Sequence, residues 1–244
     1  MFGNITDIIY AIMAIVAMLV GFSSAIKNAR LSEVIEKASL RRYFIYYALT
    51  ISLLTLLFES FVAQQLIPNQ LTIYSLRLIH LFLVISLYLT AITLLSYSET
   101  TLAPQSKWLK PLMQISSMIY LFSLLVTTPF VGTTQQYREL FLIVPSIVIS
   151  VVLLHYVFKN TADRINNVYL SGLIKSQGNL ATGALITIGI GATVQTYTQN
   201  GIFQFIFIIA TILTILAMKR IANNTNQYIT DFKKNSWQTQ LANN

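Results

Sequence analysis

Apolar residues gather in seven long runs separated by short polar gaps: 5–25, 43–66, 71–97, 112–131, 139–158, 180–197 and 202–218. A helix needs about 20 mainly apolar residues to cross the hydrocarbon core of a bilayer. The pattern therefore predicts an all-α integral membrane protein, a bundle of seven transmembrane helices. The bundle fills residues 1–220, and residues 221–244 form a cytoplasmic juxtamembrane tail. The gaps leave no room for a second, soluble domain. The first basic residue, Lys27, follows the first run, so that run reads as a retained helix rather than a cleaved leader.

Composition agrees. The chain is 10% charged and 55% hydrophobic, where a soluble domain carries about a quarter charged residues. The net charge of +8 would suggest nucleic acid in a soluble protein. Its distribution gives another reason. Lys27, Arg30, Lys37, Arg41 and Arg42 lie between runs one and two, Lys107 and Lys110 between three and four, and Lys159, Arg164 and Lys175 between five and six. Lys219, Arg220, Lys233 and Lys234 follow run seven. Positive loops are retained in the cytoplasm, so the expected threading has the N-terminus outside and the C-terminus inside. The bilayer is the expected partner, nucleic acid is not, and the cell (inner or cytoplasmic) membrane is the expected location.

The polar gaps add detail. Leu31, Val34, Ile35 and Ala38 have helical spacing, with Glu33 and Lys37 four apart. They predict a short amphipathic helix, near residues 31–40, lying on the cytoplasmic interface. The tail repeats this weakly with Ile221, Tyr228, Ile229 and Phe232. The outer connections 67–70, 132–138 and 198–201 are short, so anything bound from outside must enter the bundle.

Two basic residues escape the topology rule. Arg138 lies at an outer edge beside Glu139. Arg77 lies inside run three, and Glu59, inside run two, is as far from the hairpin tip near Pro68 as Arg77 is. At 1.5 Å per residue both sit roughly 10–13 Å below the outer surface. An isolated charge there costs about 2.5 kcal/mol or far more, so the expectation is a Glu59–Arg77 pair facing the interior. His80 lies one turn deeper on nearly the same side, with Tyr74 close to that face. Glu59, Arg77, His80 and Tyr74 are thus the expected intramembrane binding site, for a proton, an anion or a quinone head group, or alternatively a lock between two helices. Gly183, Thr187 and Gly191, flanked by Asn179 and Gln195 at the same four-residue interval, form a small-residue ridge expected to serve close helix packing.

Familiar chemistries are missing from the sequence. It has no cysteine, no HExxH metal motif and no GxSxG elbow. No metal site, cofactor or catalytic residue is expected. Haem b would need His80 and His155 at one depth, whereas His80 is expected near the bilayer middle and His155 within about one turn of the inner edge. Seven helices with an outer N-terminus is a threading similar to that of retinal proteins and many receptors. Run seven has no lysine for a Schiff base, and Lys219 falls at its end.

The expected function is a non-catalytic subunit or accessory component of a larger membrane assembly, with partner subunits. The alternatives are a small transporter or channel using Glu59, Arg77 and His80, and a heptahelical sensor signalling through a partner. A lipid or quinone enzyme ranks fourth.

Overall fold

A computed structural model describes the backbone of residues 5–66, 70–102, 107–127, 133–196 and 201–242, and side chains within 7–63, 71, 74–102, 107–126, 142–190 and 205–231. All regular structure among these residues is helical: α1 (Ile5–Val34), α2 (Ala38–Leu66), α3 (Gln70–Thr101), α4 (Leu109–Thr127), α5 (Thr133–Asp163), α6 (Val168–Thr196) and α7 (Gly201–Ala242). Among the described residues six are long and apolar enough to cross a membrane: Asp7–Val34 in α1, Ala38–Ala63 in α2, Tyr74–Thr101 in α3, Leu109–Val126 in α4, Leu142–Asp163 in α5 and Phe205–Asp231 in α7. A helical membrane bundle is the architecture.

The exception is α6. At 29 residues it is about 43 Å long, enough to span. Its first half carries Ser171, Lys175, Ser176, Gln177 and Asn179, which dilute its hydropathy. The helix tolerates them because much of it faces protein: Leu173, Ile174, Gln177, Leu180, Ala181, Ala184 and Leu185 are all buried.

The helices form a closed ring. Each packs on its successor, α7 returns to α1, and α3 also touches α5 across the ring. One large apolar cluster runs through all seven helices, with Tyr43, Phe44, Leu94, Met113, Leu154 and Phe158 essentially inaccessible. A smaller one joins Tyr10, Met13, Ala14 and Ala17 of α1 to Phe58, Phe61 and Val62 of α2 and Phe207 and Ile215 of α7. The outward faces are apolar as well: Leu19, Met118, Phe122 and Phe205 are more than 60% exposed. In water such a surface would be a liability; against acyl chains it is what solvates the bundle.

Two expectations from the polar gaps are corrected. No separate amphipathic helix forms near residues 31–40. Instead α1 continues to Val34 and α2 begins at Ala38. Leu31, Ile35 and Leu40 enter the large core cluster rather than lying on a surface. Their helical spacing therefore served interior packing, and Lys37 lies over the Tyr97 ring, 5.9 Å from its centroid. The start of the tail is also part of the bundle. Residues 221–242 prolong α7 without a break, with Ile221, Ala222 and Thr225 buried and Tyr228 and Ile229 packed on the core.

Candidate functional site: a cavity beside Arg77 and His80

Between α2, α3, α5, α6 and α7 lies a partly open cavity of about 80 Å³. By this measure it holds several waters or one small polar head group. Leu54, Leu57, Phe58 and Phe61 of α2 form one wall, and Ile143, Ala184, Ile188 and Phe207 contribute to the others. The polar features are Arg77 and His80 of α3, with Thr187 and Thr214 opposite. Arg77 and His80 are three apart, hence on one helix face. His80 is buried, and its Nε2 lies 3.0 Å from the Tyr120 hydroxyl of α4, with the two rings edge-on at 5.8 Å. That bond fixes the imidazole at the cavity wall. The threonines are bonded to each other, Oγ1 to Oγ1 at 3.1 Å, and each returns a bond to its own helix backbone.

The structure unites part of the expected site. Arg77 and His80 share the cavity; Glu59 and Tyr74 do not. Tyr74 is 56% exposed on the outer side of α3. Among the described residues Glu59 and Arg77 are not joined in an ion pair; the pairs seen there are Lys110–Glu99 and Lys175–Asp163, and Arg77 has a partner of its own. The reason is azimuth. Equal distance from a hairpin tip sets equal depth, but at about 100° per residue Glu59 lies about 150° round α2 from the face formed by Leu54, Leu57, Phe58 and Phe61. It sits one turn from Thr55, whose side chain presses against Gly21 of α1. There its Oε1 is buried without a hydrogen-bond partner.

Below the cavity the bundle closes. The crevice among Tyr47, Thr50, Leu54, Leu83, Leu87 and Leu185 is only about 10 Å³. Beneath it lies a polar cluster that the sequence reading missed. Gln177 of α6 donates through Nε2 to Asn28 Oδ1 of α1 at 2.7 Å and accepts at Oε1 from the Tyr43 hydroxyl at 2.6 Å. Its carbonyl accepts from the Tyr47 hydroxyl at 3.0 Å. Asn28 closes the chain by donating to the Ser24 carbonyl at 2.8 Å. Three helices are thereby joined by an amide whose oxygen and nitrogen are both used. Gln177 and Asn28 fall in what hydropathy takes for loops, between runs 139–158 and 180–197 and after run 5–25. The signal that could have found Gln177 is the buried stripe it shares with Leu173, Ile174, Leu180 and Ala184.

On α3, α4 and α5 the hydroxyls are paired in the same way. The Tyr88 hydroxyl lies 2.6 Å from Ser116 and 2.7 Å from Ser150, and Ser123 lies 2.8 Å from Ser146. Such bonds are the usual glue of helices in lipid.

The small-residue ridge of α6 divides. Thr187 contacts α7 through Thr214, as above. A Cβ at Gly183 would meet nothing within 4 Å. The side chains of 191–204, including the Gly191 and Gln195 positions, and those of Arg138 and Glu139, lie outside the described residues. The close approach on α6 is at Gly178, where a Cβ would collide with the Phe158 side chain of α5. Gly21 serves α1 and α2 likewise against Thr55. His155 is exposed and borders a different pocket from His80, beside Lys159 and Lys175. Among the described residues no group of three His, Cys, Asp or Glu is placed to hold a metal. Comparison of the chain with known protein families, with characterised proteins and with solved structures finds no match.

Proposed function

We propose that the chain is a non-catalytic, seven-span membrane protein that binds a lipid-soluble amphiphile, head group toward Arg77 and His80, in the cavity between α2, α3, α5, α6 and α7. One observation carries the reading: a cation and a buried imidazole face a mainly apolar cavity of about 80 Å³. Pockets of this make-up, mainly apolar with a few convergent polar groups, are the usual form of small-molecule sites. An intramembrane ionisable residue facing the interior is costly unless it is used. The guanidinium suits a carboxylate or another strong acceptor. The tight layer around Leu83 and Leu87 favours binding, and with it a sensor, over a channel open from side to side.

The test is photolabelling of purified protein with a diazirine-bearing palmitate, and with the corresponding alcohol as the neutral arm. Palmitate labelling of the Leu76 and Phe207 peptides should exceed that by the alcohol and fall at least tenfold in Arg77→Gln, with helicity and elution volume unchanged. Equal labelling of wild type and variant would overturn the reading.

A second reading, attachment to a partner subunit, draws on α7, whose 42 residues extend about 63 Å. That is about twice the thickness of a hydrocarbon core, and its end offers a helix beyond the lipid. The proposed threading has the N-terminus outside and this end in the cytoplasm, at the cell membrane. Because the chain has no cysteine, single cysteines report on it cleanly. Thr198→Cys should react with an impermeant maleimide in intact cells, and Asn167→Cys only after lysis.

A further inference from the structure

The ridge of small residues on α6, expected to be a packing surface, is open at Gly183, and so is the helix at Gly172 further toward its start. A Cβ at Gly172 or at Gly183 would meet nothing within 4 Å. Between them, Lys175, Ser176 and Asn179 share a pocket with Gly172 and with Leu216, Ala217 and Arg220 of α7, of about 530 Å³. A second pocket of about 220 Å³ adjoins it through Lys175 and Asn179, and its far wall is His155, Phe158 and Lys159 of α5. The recessed floor is α6 and the walls are α5 and α7.

The groove is polarised. Its basic end carries Lys159, Lys175 and Arg220. Among the described residues the carboxylate beside Lys175 and Lys159 is Asp163, 2.6 Å from Lys175, so three cations line the groove against one anion. Asn224 of α7 bonds across the floor to Ser176 at 3.3 Å. Toward mid-membrane the lining turns to Ala217 and Leu216, and Gly183, one turn beyond Asn179 on the same face of α6, has open space beside it. From Gly172 to Gly183 the floor is about 17 Å long, the depth of one leaflet.

We propose that this groove is a binding site for an anionic glycerophospholipid of the leaflet at the basic end. The phosphate lies among Lys159, Lys175 and Arg220, and one acyl chain runs along Gly183, Ala217 and Leu216. Basic pockets between helices at a cytoplasmic surface recognise acidic head groups in this way, and an acyl chain explains why small residues face open space rather than a neighbouring helix. The groove and the Arg77 cavity are separate, so the two assignments stand or fall independently.

The test is native mass spectrometry of delipidated protein titrated with phosphatidylglycerol or phosphatidylcholine. Wild type should retain phosphatidylglycerol on the order of tenfold better, since each basic side chain adds appreciably to the attraction of anionic lipid. The double variant Lys175→Gln/Arg220→Gln should lose that preference, while Arg30→Gln/Arg41→Gln, elsewhere at the same end, should keep it. Gly183→Leu should fold, because its side chain enters open space, and should reduce retention of both lipids. Equal retention of the two lipids by wild type overturns the proposal. So does a preference that survives Lys175→Gln/Arg220→Gln, and so does unchanged retention in Gly183→Leu.

Discussion

The two ends of the bundle interior treat polar groups differently. Around Gln177 every amide and phenol in the cluster has its partner, with the Ser24 hydroxyl beside Asn28 the exception, the crevice above is only about 10 Å³, and α5 comes close enough to α6 to require glycine at position 178. Around Arg77 the polar groups have partners too, but they border an empty volume, and Glu59 Oε1, on the neighbouring helix and away from that volume, is buried without a hydrogen bond. A saturated network specifies one arrangement of helices; a half-lined cavity leaves something for a ligand to do. The lesson is that burial of polar groups in lipid has two separable uses within one small bundle.

Breaking the saturated end should cost most. Gln177→Leu strands Asn28 and Tyr43 at once. It should lower stability by about 2–4 kcal/mol, from roughly 1–3 kcal/mol per orphaned group, read from unfolding in mixed detergent micelles. A loss below about 0.5 kcal/mol would mean the network contributes little. Gly178→Leu forces the Phe158 ring aside and should cost about 1–3 kcal/mol. Gly183→Leu on the same helix should be near neutral in the same assay, and equal damage from the two glycines would erase the distinction drawn between them.

Changes at the cavity end should be milder for folding. His80→Phe removes the bond to Tyr120 and should cost about 1 kcal/mol, with a loss of photolabelling larger than the stability change implies. Thr187→Val gives up the Thr214 bond and should cost about 0.6 kcal/mol, the average for such bonds in lipid. Should His80→Phe destabilise as much as Gln177→Leu, the cavity end is structural and the contrast fails.

Much of this was legible in the sequence. The apolar runs locate the helices, and the basic gaps group one set of ends. The filter that removed fourteen of the sixteen basic residues as topology markers left Arg77, which does face the cavity with His80. What was not legible was rotation. Counting from Pro68 gives Glu59 and Arg77 a common depth, but the direction each points depends on the phase of α2 against α3, which a single hairpin does not reveal. Helix ends were underestimated for a related reason. Hydropathy finds where a helix meets lipid, whereas Asn28, Lys175 and Gln177 lie where helices meet each other or the interface, so α1 and α6 extend well past their apolar runs. The small-residue ridge carried the same ambiguity: glycine marks both a close approach, as at 178, and an open groove, as at 183.

The polar first half of α6 has a consequence for biogenesis. A segment with Lys175, Gln177 and Asn179 in succession partitions poorly into lipid by itself, since each such residue opposes insertion at the translocon. The partners of Gln177 are on α1 and α2, which are synthesised first and are already in the bilayer when α6 emerges. The chain order therefore supplies a prepared receptor for the polar half of α6. A ribosome stalled just after α6 should leave that segment accessible until α7 follows and closes the ring.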